Sequence, residues 1–161
     1  MTNSMRPSLA FALCEGVLVI VHGKDPPLDT AWDKLVDLSV QNYLRTGYTC
    51  ALAFSKGGTP TTAQRHRFDV FVRNEIMPRH GLPRGRMAVL SDSGFTRAVV
   101  TASAMMSQNW FARTIRGGDA PQMYRAFSTN ELVYALNWLD IPTTKHQAIE
   151  RELDRLRNEV G

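Results

Sequence analysis

The sequence predicts a single α/β domain built on a mixed sheet of about four to six strands. Three observations predict it: short apolar segments alternate with segments of helical periodicity, an apolar hairpin opens the chain, and turn or capping residues separate the elements. With 161 residues, of which 43% are hydrophobic and 21% charged, the chain has the size and mixture of one globular domain. We expect an antiparallel hairpin edge, parallel strands behind it, about four packing helices and one further helix at the C-terminal end.

The first elements are a hairpin and a helix. Residues 9–16 and 17–23 are apolar runs separated by a Glu-Gly pair, which is typical of a tight turn between antiparallel strands. Asp29 is in position to cap a helix whose apolar residues recur at helical spacing. Gly47 is expected to end that helix in the left-handed conformation.

The middle of the chain predicts a strand, a loop and a second helix. Residues 49–55 form a compact apolar run, and the glycine-rich stretch 56–60 behind it indicates a flexible loop. A Thr-x-x-Gln capping box at 61–64 predicts the start of a helix, which Pro78 and Gly81 are expected to break.

The next segments predict a strand, a turn and a third helix. The apolar run 86–90 is the strand, residues 91–94 are the turn, and the helix presents small and apolar residues over 98–106. Residues 110–115 and 123–127 are two candidates for the last strand, and we expect one of them to join the sheet.

A second capping box, Ser-x-x-Glu at 128–131, predicts a helix that begins at Ser128 and ends at 140–142. A Thr-x-x-Gln pattern at 144–147 then caps a last helix.

That last helix is highly charged and carries only a thin apolar stripe. We therefore divide the chain into a domain at 1–142 and a C-terminal charged helix at 143–161. The stripe suits packing on the same domain or on a partner, including a second copy of the chain.

Two segments carry a resemblance to a known family. The opening Cys14-Glu15-Gly16-Val17-Leu18-Val19-Ile20-Val21-His22-Gly23-Lys24-Asp25 resembles the paired strands and Gly-x-x-Asp turn of the STAS and SpoIIAA-like superfamily, which includes bacterial anti-sigma-factor antagonists. The closing strand to Phe127, followed by Ser128-Thr129-Asn130-Glu131-Leu132 and Ala135-Leu136, is similar to its terminal strand and helix. The resemblance covers about Leu9 to Leu139. It implies a STAS-like fold and a non-catalytic regulatory module that binds a kinase-like, sensory or scaffold protein.

The resemblance also implies a phosphorylatable hydroxyl in the loop between the third strand and the second helix. The candidate residues of this loop are Ser55, Gly57, Gly58, Thr59, Thr61, Thr62 and Arg65. The family's Asp-Ser-Ser-Gly motif is absent there, and a closer tetrapeptide occurs one strand later, with Ser91, Asp92 and Ser93 as secondary candidates. A phosphate at the start of the second helix would be stabilised by free backbone N–H groups and Arg65. The alternative is that Thr61 is only an N-cap and Thr59-Pro60 only a turn.

The sequence gives no sign of catalysis, cofactor or metal. No G-x-S-x-G elbow, P-loop, dinucleotide fingerprint or paired-carboxylate cluster occurs. The four histidines are scattered, and Cys14 and Cys50 are expected to be buried reduced thiols. No apolar stretch is long enough for a membrane span and no signal peptide is recognisable, so we expect a cytoplasmic protein.

Two further functions stay open. One is a module that holds a small apolar ligand or lipid between helices and sheet, with a pocket lined by Met105, Met106, Trp110, Phe111 and Met123. The other is nucleic-acid binding, because the net charge is +4 with a pI of about 9.4. The arginines that would carry it are Arg65, Arg67, Arg73, Arg79, Arg84 and Arg86. A solvated basic surface is the simpler interpretation of this charge.

Overall fold

The computed structural model describes residues 6–94, 96–97 and 123–161. It confirms the α/β class and the mixed sheet, which has five strands in the order β1-β2-β3-β4-β5. The strands are β1 (Leu9–Cys14), β2 (Val17–His22), β3 (Thr49–Ser55), β4 (Gly85–Leu90) and β5 (Tyr124–Phe127). The first pair is antiparallel and the other three pairs are parallel.

The opening hairpin has the predicted two-residue turn. Glu15 and Gly16 both have positive φ, at 52° and 81°, which is the backbone of a type I′ turn and matches the twist of the flanking strands. The register runs from Cys14 opposite Val17 to Leu9 opposite His22. β1 therefore forms the antiparallel edge of the sheet, as expected.

Helices α1 (Asp29–Thr46) and α2 (Thr62–Phe71) follow β2 and β3. When parallel strands lie side by side in the order of the chain and each crossover is right-handed, the helices that connect them lie on one face of the sheet. α1 packs there through Leu35, which is 4% exposed, and it ends at Gly47 in the left-handed conformation, as predicted. The apolar residues of this face include Leu18, Ile20, Ala51, Ala53 and Val89.

The expected break at Pro78 is wrong. α2 runs on through a π-helical segment, Val72–Ile76, into α3 (Met77–His80), and the backbone leaves the helix at Gly81. Proline lacks an N–H group and its ring crowds the preceding turn, so it disturbs the hydrogen-bond ladder of an α-helix. The wider π turn just before Pro78 accommodates that disturbance.

Helices α4 (Leu132–Trp138) and α5 (Thr143–Glu159) cover the opposite face. α5 contacts β1 and β2 with its thin stripe: Ile149, Leu153, Leu156 and Val160 are each at most 2% exposed. It begins at Thr143 without a side-chain cap, so the predicted cap at Thr144 is wrong. The sheet is thus sandwiched between two helical layers.

The predicted start of α4 at Ser128 is also wrong. Half of the capping box forms, because the Glu131 carboxylate accepts from the Ser128 N–H at 2.7 Å. The Ser128 hydroxyl accepts from Arg97 at 3.3 Å and gives no side-chain cap to the helix, which starts at Leu132. Residues 128–131 form a turn that precedes the helix.

Three observations complete the fold. Residues 98–106 and 110–115, which were assigned a helix and a strand, lie outside the described residues. Cys14 and Cys50 are free thiols, as expected, but they are half-buried and not buried. Within the described ranges, no helix combines the length and the apolar character that a bilayer span demands.

Candidate functional site: the carboxyl edge of the sheet

Buried polar side chains collect at one edge of the sheet, where parallel strands β2, β3 and β4 end. The buried polar residues of the described chain are His22, Asn42, Ser55, Gln64, Ser91 and Thr96. All except Asn42 lie at or just after a carboxyl end, or in the first turn of α2. Open α/β sheets bind ligands outside the carboxyl ends of their strands. This edge is therefore the candidate functional site.

Ser55 organises the loop that leaves β3. Its hydroxyl donates to the carbonyl of Gly58 at 2.6 Å and accepts from the N–H of Gly57 at 3.0 Å. Gly57 has φ of 128°, a conformation that favours glycine. A methyl group on Gly58 would lie 2.5 Å from the carbonyl oxygen of Gly23 and 2.6 Å from that of Asp25. The two glycines of the 55–62 loop are therefore structurally required.

Thr61 caps α2 in a complete capping box, as its sequence predicts. Its hydroxyl accepts from the Gln64 N–H at 3.1 Å, and the Gln64 side chain accepts from the Thr61 N–H at 2.9 Å. The Gln64 amide also donates to the carbonyl of Pro27 and to the Asp29 carboxylate, both at 2.8 Å. Gln64 thereby ties the start of α2 to the start of α1.

The exposed part of the loop carries Thr62 and Arg65. One Arg65 nitrogen donates to the carbonyl of Pro60 at 2.6 Å, and another donates to the Thr62 hydroxyl at 3.2 Å. Thr62 is exposed, and Thr59 is half-buried. Of the three threonines, Thr62 thus combines exposure with a nearby guanidinium, whereas the hydroxyl of Thr61 is engaged in the helix cap.

The second candidate loop, residues 91–94, lies beside the first. Its hydroxyls bond within the loop: Ser91 accepts from the Ser93 N–H at 3.1 Å, and Ser93 accepts from the Thr96 N–H at 3.2 Å. The Thr96 hydroxyl donates to the carbonyl of Gly57 at 3.4 Å, so the structure links the two loops that the sequence offered as alternatives.

Asp92 fixes the second loop to the turn after β5. Its carboxylate accepts from the hydroxyl and the N–H of Thr129, at 2.6 and 3.2 Å. Those two hydrogen bonds stabilise the charged form and lower the pKa of Asp92. The Asp92 carboxylate therefore holds the second loop against the turn that follows β5.

His22 is a site residue that the sequence analysis did not single out. It ends β2, pairs in register with Ser55, and points to the same face of the sheet because strand residues alternate. Its ring is buried, its Nδ1 has no hydrogen-bond partner among the described residues, and desolvation lowers the pKa of His22 to about 4. The sequence signal that could have identified this residue is a histidine at the end of an apolar strand, directly before a glycine.

Lys56 connects the loop to the opposite helical layer. Its ammonium donates to the carbonyls of Val160 at 2.7 Å and Arg157 at 3.0 Å, which satisfies acceptors at the end of α5. Arg157 in turn stacks over the Phe54 ring, with its guanidinium carbon 4.3 Å from the ring centroid. The last turn of α5 and the 55–62 loop are therefore joined by direct contacts.

A cavity of about 330 Å³ lies on the face covered by α4 and α5. Its floor is apolar, with Phe54, Leu90, Leu136 and Leu153, and its rim is polar, with His146, Glu150, Asp154 and Arg157. Of the predicted pocket residues, Met123 is not among those that line this cavity, and Met105, Met106, Trp110 and Phe111 lie outside the described residues.

The predicted arginine patch is divided by internal ion pairs. Arg67 lies 3.3 Å from Asp29 and 3.4 Å from Asp33, and Arg73 lies 2.9 Å from Asp69. Arg86 pairs with Asp140 at 2.8 Å, stacks on Trp138 and donates to its carbonyl. Arg65 is bound to its own loop, and Arg79 and Arg84 form no ion pair in the described part of the chain.

Among residues 6–94, 96–97 and 123–161, no three His, Cys, Asp or Glu side chains converge as metal ligands would. Comparisons with family models, with curated proteins and with solved structures found no match.

Proposed function

We propose that this chain is a non-catalytic regulatory module of the STAS type, which binds a protein partner through the carboxyl edge of its sheet. The observation that carries the proposal is the organisation of the 55–62 loop. Ser55 holds one end with a buried hydrogen bond to Gly58, and Gln64 holds the other with a half-buried one to Thr61, while Thr62 is exposed. A loop held in this way with an exposed hydroxyl is suited to recognition, because little conformational entropy is lost when it binds.

The chemistry of Ser55 supports a binding role for the edge. A serine nucleophile is activated by donating its proton to a base such as histidine. Ser55 donates instead to the carbonyl of Gly58, even though His22 is its neighbour on the next strand. Ser55 therefore acts as a loop organiser.

Thr62 is the residue at which we place a regulatory switch. It occupies the first position of α2, where the helix dipole and unbonded N–H groups favour negative charge. Arg65 already contacts its hydroxyl at 3.2 Å and would pair with a phosphate attached there. Phosphorylation would stabilise the loop while changing the charge that it presents to a partner.

Leu28 is an apolar anchor for that partner. It is 72% exposed at the start of α1, next to Pro27, whose carbonyl is bound by Gln64 from the candidate loop. A leucine side chain exposed to this extent gains free energy when a partner covers it, because its apolar surface is removed from water. The resemblance to the STAS family favours a kinase-like, sensory or scaffold partner in the cytoplasm.

The test is affinity capture from the source cells with three forms of the chain. Leu44 is 49% exposed in the last turn of α1, at the other end of the same helix from Leu28. We expect Leu28→Glu to reduce capture of a specific partner at least about tenfold, as interface anchors do. Leu44→Glu is the matched control and should capture the partner as the parent does.

Phosphorylation is tested on the captured complex with ATP, followed by mass spectrometry of the tryptic peptide from Gly57 to Arg65. We expect a phosphate on Thr62 that Thr62→Ala removes. Equal loss of the partner with Leu28→Glu and Leu44→Glu would contradict the proposed binding edge, and an unmodified peptide would contradict the switch.

The cavity favours a second candidate function, binding of a small amphiphile. Its volume is at the lower end of those of small-molecule sites, which begin at about 300 Å³, and an apolar floor beneath a polar rim suits a short chain with a polar head. The rim carries Glu150 and Asp154 against one arginine, Arg157, so a cationic head is favoured over an anionic one.

Thermal shift assays with octylamine and octanoate test this candidate. We expect octylamine to raise the melting temperature more than octanoate does. Leu132→Trp, which would fill part of the cavity, should abolish the effect, whereas Tyr134→Trp, at an exposed position of the same helix outside the lining, should leave it unchanged. If neither amphiphile changes the melting temperature, amphiphile binding is contradicted.

A further inference from the structure

Four chain segments meet beside the carboxyl end of β2. The N–H of Gly23 donates to the carbonyl of Ser8 at 2.8 Å, and that of Gly161 donates to the carbonyl of Pro7 at 3.2 Å. The N–H of Gly58 donates to the carbonyl of Gly23 at 2.8 Å. A methyl group on Gly23 would lie 2.8 Å from the carbonyl oxygen of Gly161, so the packing at this junction is close.

Each of these segments brings one cation: Arg6, Lys24, Lys56 and Arg157. We call these four residues the basic cluster. The Lys56 ammonium is bound to the end of α5 at 2.7 and 3.0 Å, and Arg157 stacks on Phe54, so two of the cations are held in place. Partial desolvation, together with repulsion from Arg6, Arg157 and Lys24, lowers the pKa of Lys56. The four charges are therefore close enough to act together.

The basic cluster is only partly neutralised within the described chain. Asp154 pairs with Arg157 at 3.5 Å, and Asp25 directly follows Lys24. Arg6, Lys24 and Lys56 form no ion pair with a carboxylate among the described residues. Four cations against the side-chain carboxylates of Asp25 and Asp154 and the carboxylate of Gly161 leave an excess of positive charge beside the candidate loop.

We propose that the basic cluster binds an acidic peptide segment of the protein partner. This inference rests on the proposed function and names the chemistry of the partner at that edge. The cations come from four different segments, so they are suited to several carboxylates along a chain. Two of the four, Arg6 and Lys24, are exposed and make no side-chain hydrogen bond in the described residues, so they are available to a ligand.

An acidic peptide fits the charge distribution better than a nucleic acid does. Nucleic-acid binding depends on an extended track of cations that neutralises many phosphates. The arginines that would extend the basic cluster across α2 and β4 are paired instead: Arg67 with Asp29, Arg73 with Asp69, and Arg86 with Asp140. The positive field is therefore local and matches a short acidic segment.

The test is a titration of the isotopically labelled protein with a hexaglutamate peptide at low salt, followed by amide chemical shifts. We expect the shifts to concentrate in residues 6–8, 23–25, 56–58 and 157–161. The double substitution of Arg6→Gln and Lys24→Gln should weaken binding about fivefold to tenfold, as removal of two exposed charge contacts does. It spares Lys56 and the fold, since neither side chain makes a hydrogen bond to any residue that the structure describes.

The matched control replaces two exposed cations outside the basic cluster, Lys34→Gln and Arg79→Gln, and should change the affinity less than about twofold. Equal binding by parent and cluster variant, or no binding at low salt, would overturn the proposal. So would tighter binding of oligo(dT), or the same shifts with inorganic phosphate alone, which would identify a nucleic-acid or single-anion site. Because the titration needs no native partner, its failure is distinct from failure of the Leu28 capture experiment.

Discussion

The Lys56 ammonium lies 2.7 Å from the carbonyl oxygen of Val160, so the candidate loop at the carboxyl edge is tied to the end of the C-terminal helix. The same ammonium also donates to the carbonyl of Arg157 at 3.0 Å. These carbonyls lie beyond the hydrogen-bond ladder of α5 and would otherwise need water or another donor. One side chain therefore joins the two helical layers across the edge of the sheet.

Replacing Lys56 with Met keeps most of its length and removes these donors. We expect the free energy of unfolding to fall by about 1 kcal/mol, a value reduced from that of a buried charged hydrogen bond because the ammonium is partly exposed. Urea unfolding measures it. Lys34→Met, at an exposed position on α1, is the control, and an equal effect of the two substitutions would contradict the role of Lys56.

Gly58→Ala tests whether the loop requires close contact between backbones. The added methyl group would lie 2.5 Å from the carbonyl oxygen of Gly23, and backbone on both sides limits relaxation. We expect the free energy of unfolding to fall by about 1–3 kcal/mol. Gly94→Ala, in the second candidate loop, is the matched control, because a methyl group there meets no described atom within 4 Å. A neutral Gly58→Ala in urea unfolding would show that the loop relaxes freely.

Some features of the fold were predictable because each is determined by residues that are close together in the sequence. The Glu15-Gly16 turn, the Gly47 terminus and the Thr61–Gln64 capping box each depend on residues within four positions of one another. Strand β3 was predictable to the residue because a continuous apolar run is bounded by turn residues on both sides. These features also fixed the position of the candidate loop.

Contacts between distant segments account for the error at Ser128 and for the links between loops that the sequence did not predict. α4 does not start at Ser128, where Arg97, 31 residues earlier, donates to the hydroxyl, and Asp92 holds the adjacent Thr129. The link from Thr96 to Gly57 spans 39 residues, so no local pattern could show that the two candidate loops meet. The contact of Lys56 with Val160 spans 104 residues, so a local pattern could not predict it either.

Thr61 and Thr62 are adjacent threonines with different roles, which substitution by alanine should separate. Thr61→Ala removes the acceptor of the Gln64 N–H, and we expect the free energy of unfolding to fall by about 1 kcal/mol. Thr62→Ala should change it by less than about 0.5 kcal/mol, because its hydroxyl has only an exposed contact with Arg65. Urea unfolding of the two variants measures the difference. Equal losses would show that the cap is not specific to Thr61.

The buried ring of His22 should make the stability of the protein depend on pH. Burial lowers the pKa of His22 to about 4 in the folded chain, against 6.5 for an unperturbed histidine. The unfolded chain therefore binds the proton more readily, so stability rises with pH. The full contribution is present above about pH 6.5 and is lost progressively as the pH falls toward 4, for a total of about 3 kcal/mol.

His22→Leu removes the titrating group from a site that already lacks a partner for Nδ1. We expect this variant to lose less stability than the parent between pH 7 and pH 4.5, measured by urea unfolding at each pH. His80→Gln is the control, because His80 is exposed and the substitution should leave the pH dependence of the parent intact. Parallel curves for His22→Leu and the parent would contradict the prediction, because they would show that the burial of His22 does not set the pH dependence of stability.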